Sequence, residues 1–263
     1  MEGASHFFAS VFESFGALDW FTTVLVVPGL ALAWWLMSRC PRSSDSFGER
    51  DLAFPIVIVG AAAYLLAQPL FYFSLRESSP REFFLLAGLQ RLGFALLVVV
   101  AARRLLASGN PLRLEFASSW HKVTWGLGIY VSVLPFVLFM GLFRNKEVVQ
   151  NSAQQLLDSE STGLSVVMFA TLVLITPFFE EVVFRGLIQG GLRRANEGGL
   201  SIFIASLLFM LVHERELWPQ VLLLGAVLGI VYEITRTLWV PIAVHMLHNL
   251  IAFVYFWRFA SPD

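Results

Sequence analysis

Apolar residues fall into eight long stretches separated by short charged segments, and that pattern constrains this chain more than any other feature. The stretches are 20–37, 52–75, 83–102, 123–143, 164–192, 200–212, 217–234 and 238–257. A helix crosses a bilayer with roughly 17–25 such residues. The sixth stretch is therefore short, and the fifth is long enough to cross at a tilt with a turn or two to spare. Hydrocarbon offers no hydrogen bonds to the backbone, so segments that satisfy themselves, namely helices, are expected. Composition agrees: the 263 residues are 57% apolar and 14% charged, against about 45–50% and about 25% in a soluble domain. The fold class expected is an all-α, polytopic integral membrane protein with about eight transmembrane helices, forming a single domain over 1–263.

The same numbers exclude several functions. A net charge of −1 argues against a nucleic-acid partner. Cys40 is the only cysteine, so neither a disulfide framework nor a thiolate zinc site can be built. The N-terminus has no basic region of the kind that opens a cleaved signal. Basic residues in the short loops set orientation. With the N-terminus outside, the inner loops carry Arg39, Arg42, Arg50, Arg103, Arg104, Arg113, Lys122, Arg193, Arg194 and Arg236; the outer segments carry Arg76, Arg81, Arg144, Lys146, Arg215 and Arg258. Ten against six places both termini outside a cell membrane.

Charges inside apolar spans are costly and mark functional sites by default. The densest cluster is Pro177-Phe178-Phe179-Glu180-Glu181-Val182-Val183-Phe184-Arg185-Gly186. On a helix Glu181 and Arg185 stand at i and i+4 and can pair on one face. Glu180 points about 100° away and is left free to face a cavity. A purely structural set, two carboxylates pinning helices to Arg185 and Arg91, would not need the second acid.

Imidazoles follow on two later spans: Phe209-Met210-Leu211-Val212-His213, then His245-Met246-Leu247-His248-Asn249. His245 and Asn249 share a helical face, while His248 is rotated towards a neighbouring helix. At 1.5 Å per residue, Glu180 and His213 lie on the order of 20 Å from the inner membrane face, and His245 and Asn249 roughly 6–16 Å from it. Separate helices thus deliver a carboxylate, two imidazoles and an amide to overlapping depths, as a buried hydrolytic site requires. A carboxylate beside an imidazole can activate water, and an amide can donate to a developing oxyanion. No Ser or Cys is placed as a nucleophile. The sequence has no Gly-x-Ser-Gly, and none of its five Asp lies inside an apolar run.

Glu-Glu-x-x-x-Arg, Phe-x-x-x-His and His-x-x-x-Asn, in that order on three apolar spans, resemble the CAAX protease and bacteriocin-processing family. Its members are intramembrane endopeptidases and include the type II CAAX prenyl endopeptidases. The motifs lie within 163–257; the N-terminal four-helix portion, 1–162, carries none. The resemblance implies hydrolysis of a peptide bond in a membrane-associated or lipidated protein or peptide. It implies Glu180 as the residue activating water, His213 as its partner, and His245 and Asn249 completing the site, with Asn249 stabilising the oxyanion. Glu181 and Arg185 would support the first motif, and His248 lies outside the pattern.

Members of the family are often labelled metalloproteases, yet the His-Glu-x-x-His helix of zinc peptidases is absent. His213-Glu214 starts like it, but Leu217 stands where the second His belongs. The preferred reading is a metal-free glutamate mechanism with no cofactor. The alternative is a zinc site of Glu180, His213 and His245. Readings from other classes are a proton-coupled transporter, which the lack of internal repetition disfavours, and a catalytically idle immunity or scaffold protein.

Overall fold

The computed structural model describes residues 75, 78–105, 119–141, 162–195, 198–213 and 215–259. The expected spans at 20–37 and 52–75 (save Leu75), together with Cys40, lie outside the described residues. Among the described residues there are helices and no strand: α1 Pro80–Leu105, α2 Ser119–Gly141, α3 over 162–195, α4 Gly198–Leu211, α5 Trp218–Thr235 and α6 Trp239–Phe259. They coincide with the third to eighth apolar stretches. Four of them, at 81–100, 120–139, 165–193 and 218–235, are long and apolar enough to cross a membrane. The shorter apolar segments are Gly198–Leu211 and Trp239–Tyr255. The chain is a multi-pass membrane protein.

Local chemistry explains where these helices begin and end. At the start of α1, Ser79 N donates to Glu82 Oε2 at 2.9 Å and Glu82 N donates to Ser79 Oγ at 3.3 Å. Two otherwise orphaned donors are satisfied reciprocally in this way, and Pro80 takes the first helical position, where a missing N–H costs nothing. α5 ends at Arg236, which adopts a left-handed conformation with φ 58°. A non-glycine residue there costs about 1–2 kcal/mol; the ion pair from Arg236 Nη2 to Glu233 Oε1 at 2.7 Å offsets part of it. The corner turns the chain sharply into α6.

α3 is the central element. Two π-helical stretches, Ala170–Ile175 and Val182–Gln189, flank the α-helical Thr176–Glu181 that carries both glutamates. A proline ring clashes with the carbonyl four residues earlier in a regular α-helix. For Pro177 that residue is Val173, within the first π stretch, where the wider turn makes room. α1 packs on the N-terminal half of α3, α4 on its C-terminal half and on α5, and α6 on residues 170–181; α2 lies across α5 and α6.

Burial is arranged for lipid rather than water. Trp120, Phe136, Leu97 and Ile234 are exposed on the outside, while Glu181, Arg185, Gln189 and His245 are buried at the centre. Close approach makes this possible. On α5, a Cβ at Gly225 would lie 3.2 Å from the backbone of Ser206, and one at Gly229 2.9 Å from Ile202 Cγ2. Small residues at such contacts let helix backbones approach in membranes. With α4 drawn in, the carbonyls of Gly225 and Gly229 accept from Arg185 Nη2 at 3.0 Å and Gln189 Nε2 at 2.9 Å. One turn further on, Arg193 pairs with Glu233 at 2.9 Å.

Candidate active site

Glu180 and Glu181 leave the same turn of α3 in different directions, and their surroundings differ accordingly. The side chain of Glu181 is 0% exposed and that of Glu180 15% exposed. Glu181 Oε2 faces Arg185 Nε at 3.2 Å, the ion pair that the i, i+4 spacing predicts. Its other oxygen, Oε1, accepts from His245 Nδ1 on α6 at 2.8 Å. The other ring nitrogen of His245, Nε2, is turned to the site. That Nε2 lies 3.6 Å from Glu180 Oε2, longer than a hydrogen bond. One imidazole therefore stands between two adjacent carboxylates, one sealed and one partly open.

His213 follows α4, and its Nδ1 donates to the carbonyl of Phe209 at 2.7 Å. Its own carbonyl accepts from Trp218 Nε1 at 3.0 Å. Both imidazoles are thus held by Nδ1, one on a carbonyl and one on a carboxylate. Phe209 lies between them: its ring centroid is 4.6 Å from that of His213 and 5.7 Å from that of His245. The Arg185 guanidinium sits 4.6 Å over the same ring, within the range of a cation–π contact.

Asn249, one turn after His245, donates through Nδ2 to the carbonyl of Leu172 at 2.8 Å. Leu172 lies in the first π stretch, so the irregular turn of α3 provides the anchor for the amide of α6. A side-chain amide has two N–H groups, and one remains for another acceptor. His248 faces away from this cluster and shares a 2.8 Å hydrogen bond with Tyr130 on α2. Arg91 of α1 donates to Thr176 Oγ1 at 3.3 Å, one turn before Glu180.

Of the residues singled out in the sequence, Glu180, Glu181, Arg185 and His245 form one connected cluster. His213 joins it across Phe209, and Asn249 is held at the neighbouring turn of α3. Neither His213 nor Asn249 hydrogen-bonds to Glu180. Among the described residues, no three His, Cys, Asp or Glu side chains gather in an arrangement that would hold a metal ion; the set Glu180, His213 and His245 does not converge in that way. Residues that spacing alone does not pick out are Leu172, Thr176 and Gly225, which act through a carbonyl or a hydroxyl. The Phe-x-x-x-His spacing does contain Phe209, but nothing in it foretells the guanidinium above the ring.

Residues 162–251, which hold every member of this cluster, match the Rce1-like family of type II CAAX prenyl endopeptidases. Over this segment the chain resembles the CAAX proteases. It is also similar to the membrane-embedded CAAX protease MroQ of Staphylococcus aureus (strain USA300), with 27% identity over 170 residues. That alignment takes in 59% of this chain and 66% of MroQ, just under two thirds of the relative's length. No solved structure matches the chain. The family segment begins with α3 and ends within α6, and α1 and α2 pack against it.

Proposed function

We propose that the protein is an intramembrane endopeptidase that hydrolyses a peptide bond in a membrane-associated protein or peptide. The observation that carries this reading is the contrast between the two glutamates. Glu181 is sealed between Arg185 and His245, whereas Glu180 keeps an open flank beside His245 Nε2. A carboxylate with one exposed side and an oriented imidazole is suited to take a proton from water. In the proposed reaction, Glu180 accepts that proton as the water oxygen attacks the scissile carbonyl carbon. His213 shares the base role at the same water. Asn249, held to Leu172, turns its second N–H to the carbonyl oxygen as negative charge develops there, and His245, with Nε2 turned to Glu180, completes the site. The proton held by Glu180 then passes to the leaving amine as the C–N bond breaks, giving a carboxylic acid and a new amino terminus. General base catalysis of this kind is worth typically 100- to 10,000-fold, and an oxyanion donor about 100- to 1,000-fold.

The substrate reading follows the family. A lipidated or otherwise membrane-anchored peptide reaches a site between membrane helices without leaving the bilayer. The test is cleavage of a fluorogenic, farnesylated peptide and of a non-prenylated membrane-anchored peptide by protein reconstituted in vesicles. Loss of cleavage in Glu180→Ala and His213→Ala, with folding retained, supports the assignment; full activity in both variants overturns it. Elemental analysis of the purified protein addresses the zinc reading: stoichiometric zinc, lost on His245→Ala, would replace the metal-free mechanism. Substrate-dependent flux through vesicles that survives Glu180→Gln would favour a carrier instead.

A further inference from the structure

Glu181 touches neither water nor the open flank of the site, and the peptidase reading gives it no chemical step. Its contacts form a chain of five groups across three helices. The Gly225 carbonyl of α5 accepts from Arg185 Nη2 at 3.0 Å. Arg185 Nε faces Glu181 Oε2 at 3.2 Å. Glu181 Oε1 accepts from His245 Nδ1 at 2.8 Å, and His245 Nε2 faces Glu180 at 3.6 Å. Arg185, Glu181 and His245 are all buried.

We infer that Glu181 is a positioning residue that fixes the Nδ1–H form of His245 and turns Nε2 towards Glu180. This rests on the peptidase reading for its catalytic consequence, but not for its structural content. The argument turns on donors and acceptors. Arginine donates only and an ionised carboxylate accepts only, so the polarity of the chain is set from its far end. Gly225 offers an acceptor, Arg185 answers with donors, Glu181 must then present oxygen on both sides, and His245 must donate from Nδ1. Nothing at His213 does the same: its Nδ1 is held by a single carbonyl of its own helix. The arrangement explains why a buried arginine is tolerated here, and why α5 carries a glycine where Arg185 approaches. A Cβ at Gly225 would press on Ser206 and Phe209, the residue over which the guanidinium is stacked.

Glu181→Gln tests this with little change of shape. Because Arg185 only donates, the new amide must turn its oxygen to Arg185 and its NH2 to His245. Nδ1 then has to accept, and the proton moves to Nε2. The measurement is the nitrogen spectrum of the full chain in nanodiscs, labelled with 15N-histidine and assigned by comparison with His245→Gln. The expected result is a protonated Nδ1 in the wild-type protein and a reversed or mixed tautomer in Glu181→Gln. An unprotonated Nδ1 in the wild type, or an unchanged tautomer in the variant, overturns the inference. If Glu181→Gln does not fold, the wild-type spectrum alone decides. In the farnesylated-peptide assay, the same variant is expected to lose about 100- to 10,000-fold in kcat with little change in KM, as when an orienting carboxylate is removed from a catalytic imidazole. A merely structural role would lower thermal stability and leave the tautomer alone. Failure of the peptidase reading is seen separately, as activity retained in Glu180→Gln whatever the tautomer of His245.

Discussion

Two neighbouring glutamates in one turn of a membrane helix have opposite environments, and their variants should fail in opposite ways. Glu180 lies beside His245 Nε2 and has a partly open side chain. Glu180→Gln is therefore expected to lose about 100- to 10,000-fold in turnover while its thermal midpoint in detergent stays close to wild type. Glu181→Ala would strip the buried Arg185 of its carboxylate, and an uncompensated buried charge costs about 3–5 kcal/mol. Its expected signature is a lowered thermal midpoint or loss of folded protein. Equal stability losses in both variants would contradict the assignment of roles. At this scale the sequence is informative as far as one helix reaches: the i, i+4 pairing of Glu181 with Arg185 is legible from spacing alone. The bond from Glu181 to His245 joins residues 64 apart. It depends on how α6 docks against α3, which no local pattern encodes.

The helices themselves were legible because hydrocarbon enforces them: six of the eight apolar stretches coincide with α1–α6, and the other two fall outside the described residues. Their internal irregularities were not. A π turn leaves the apolar pattern unchanged, and Pro177 alone hints that the turn before it is wide. The glycine contacts were equally silent, since an apolar stretch reads the same whether its glycines face lipid or a neighbouring helix. The structure separates these cases. A Cβ on Gly225 would meet the backbone of Ser206, whereas one on Gly128 meets nothing within 4 Å. Gly225→Ala is expected to destabilise by about 1–3 kcal/mol, as overpacking does. Gly128→Ala should be neutral or stabilise by about 0.5–1 kcal/mol through better helix formation. Thermal unfolding of the two variants side by side checks the pair, and the reverse order would contradict the packing described for α4 and α5.

At the scale of the molecule, residues 162–251 carry the match to the Rce1-like endopeptidases, and α1 and α2 pack against them with polar contacts among the packing. Arg91 on α1 reaches Thr176, and Tyr130 on α2 reaches His248. Tyr130 is fully buried, so Tyr130→Phe leaves His248 without that bond and should cost about 0.5–1.5 kcal/mol. Peptidase activity should remain, because His248 faces away from Glu180; a loss as large as that of Glu180→Gln would bring α2 into the catalytic machinery. The central claim is that Glu180 drives proteolysis inside the membrane. The measurement that reaches it most directly compares protein termini in membrane fractions of cells expressing equal amounts of the wild-type chain or Glu180→Gln. The account predicts a set of cleaved termini present with the wild type and absent with the variant, with the intact precursors accumulating in their place. Identical termini in the two fractions, at equal expression and folding, would contradict it.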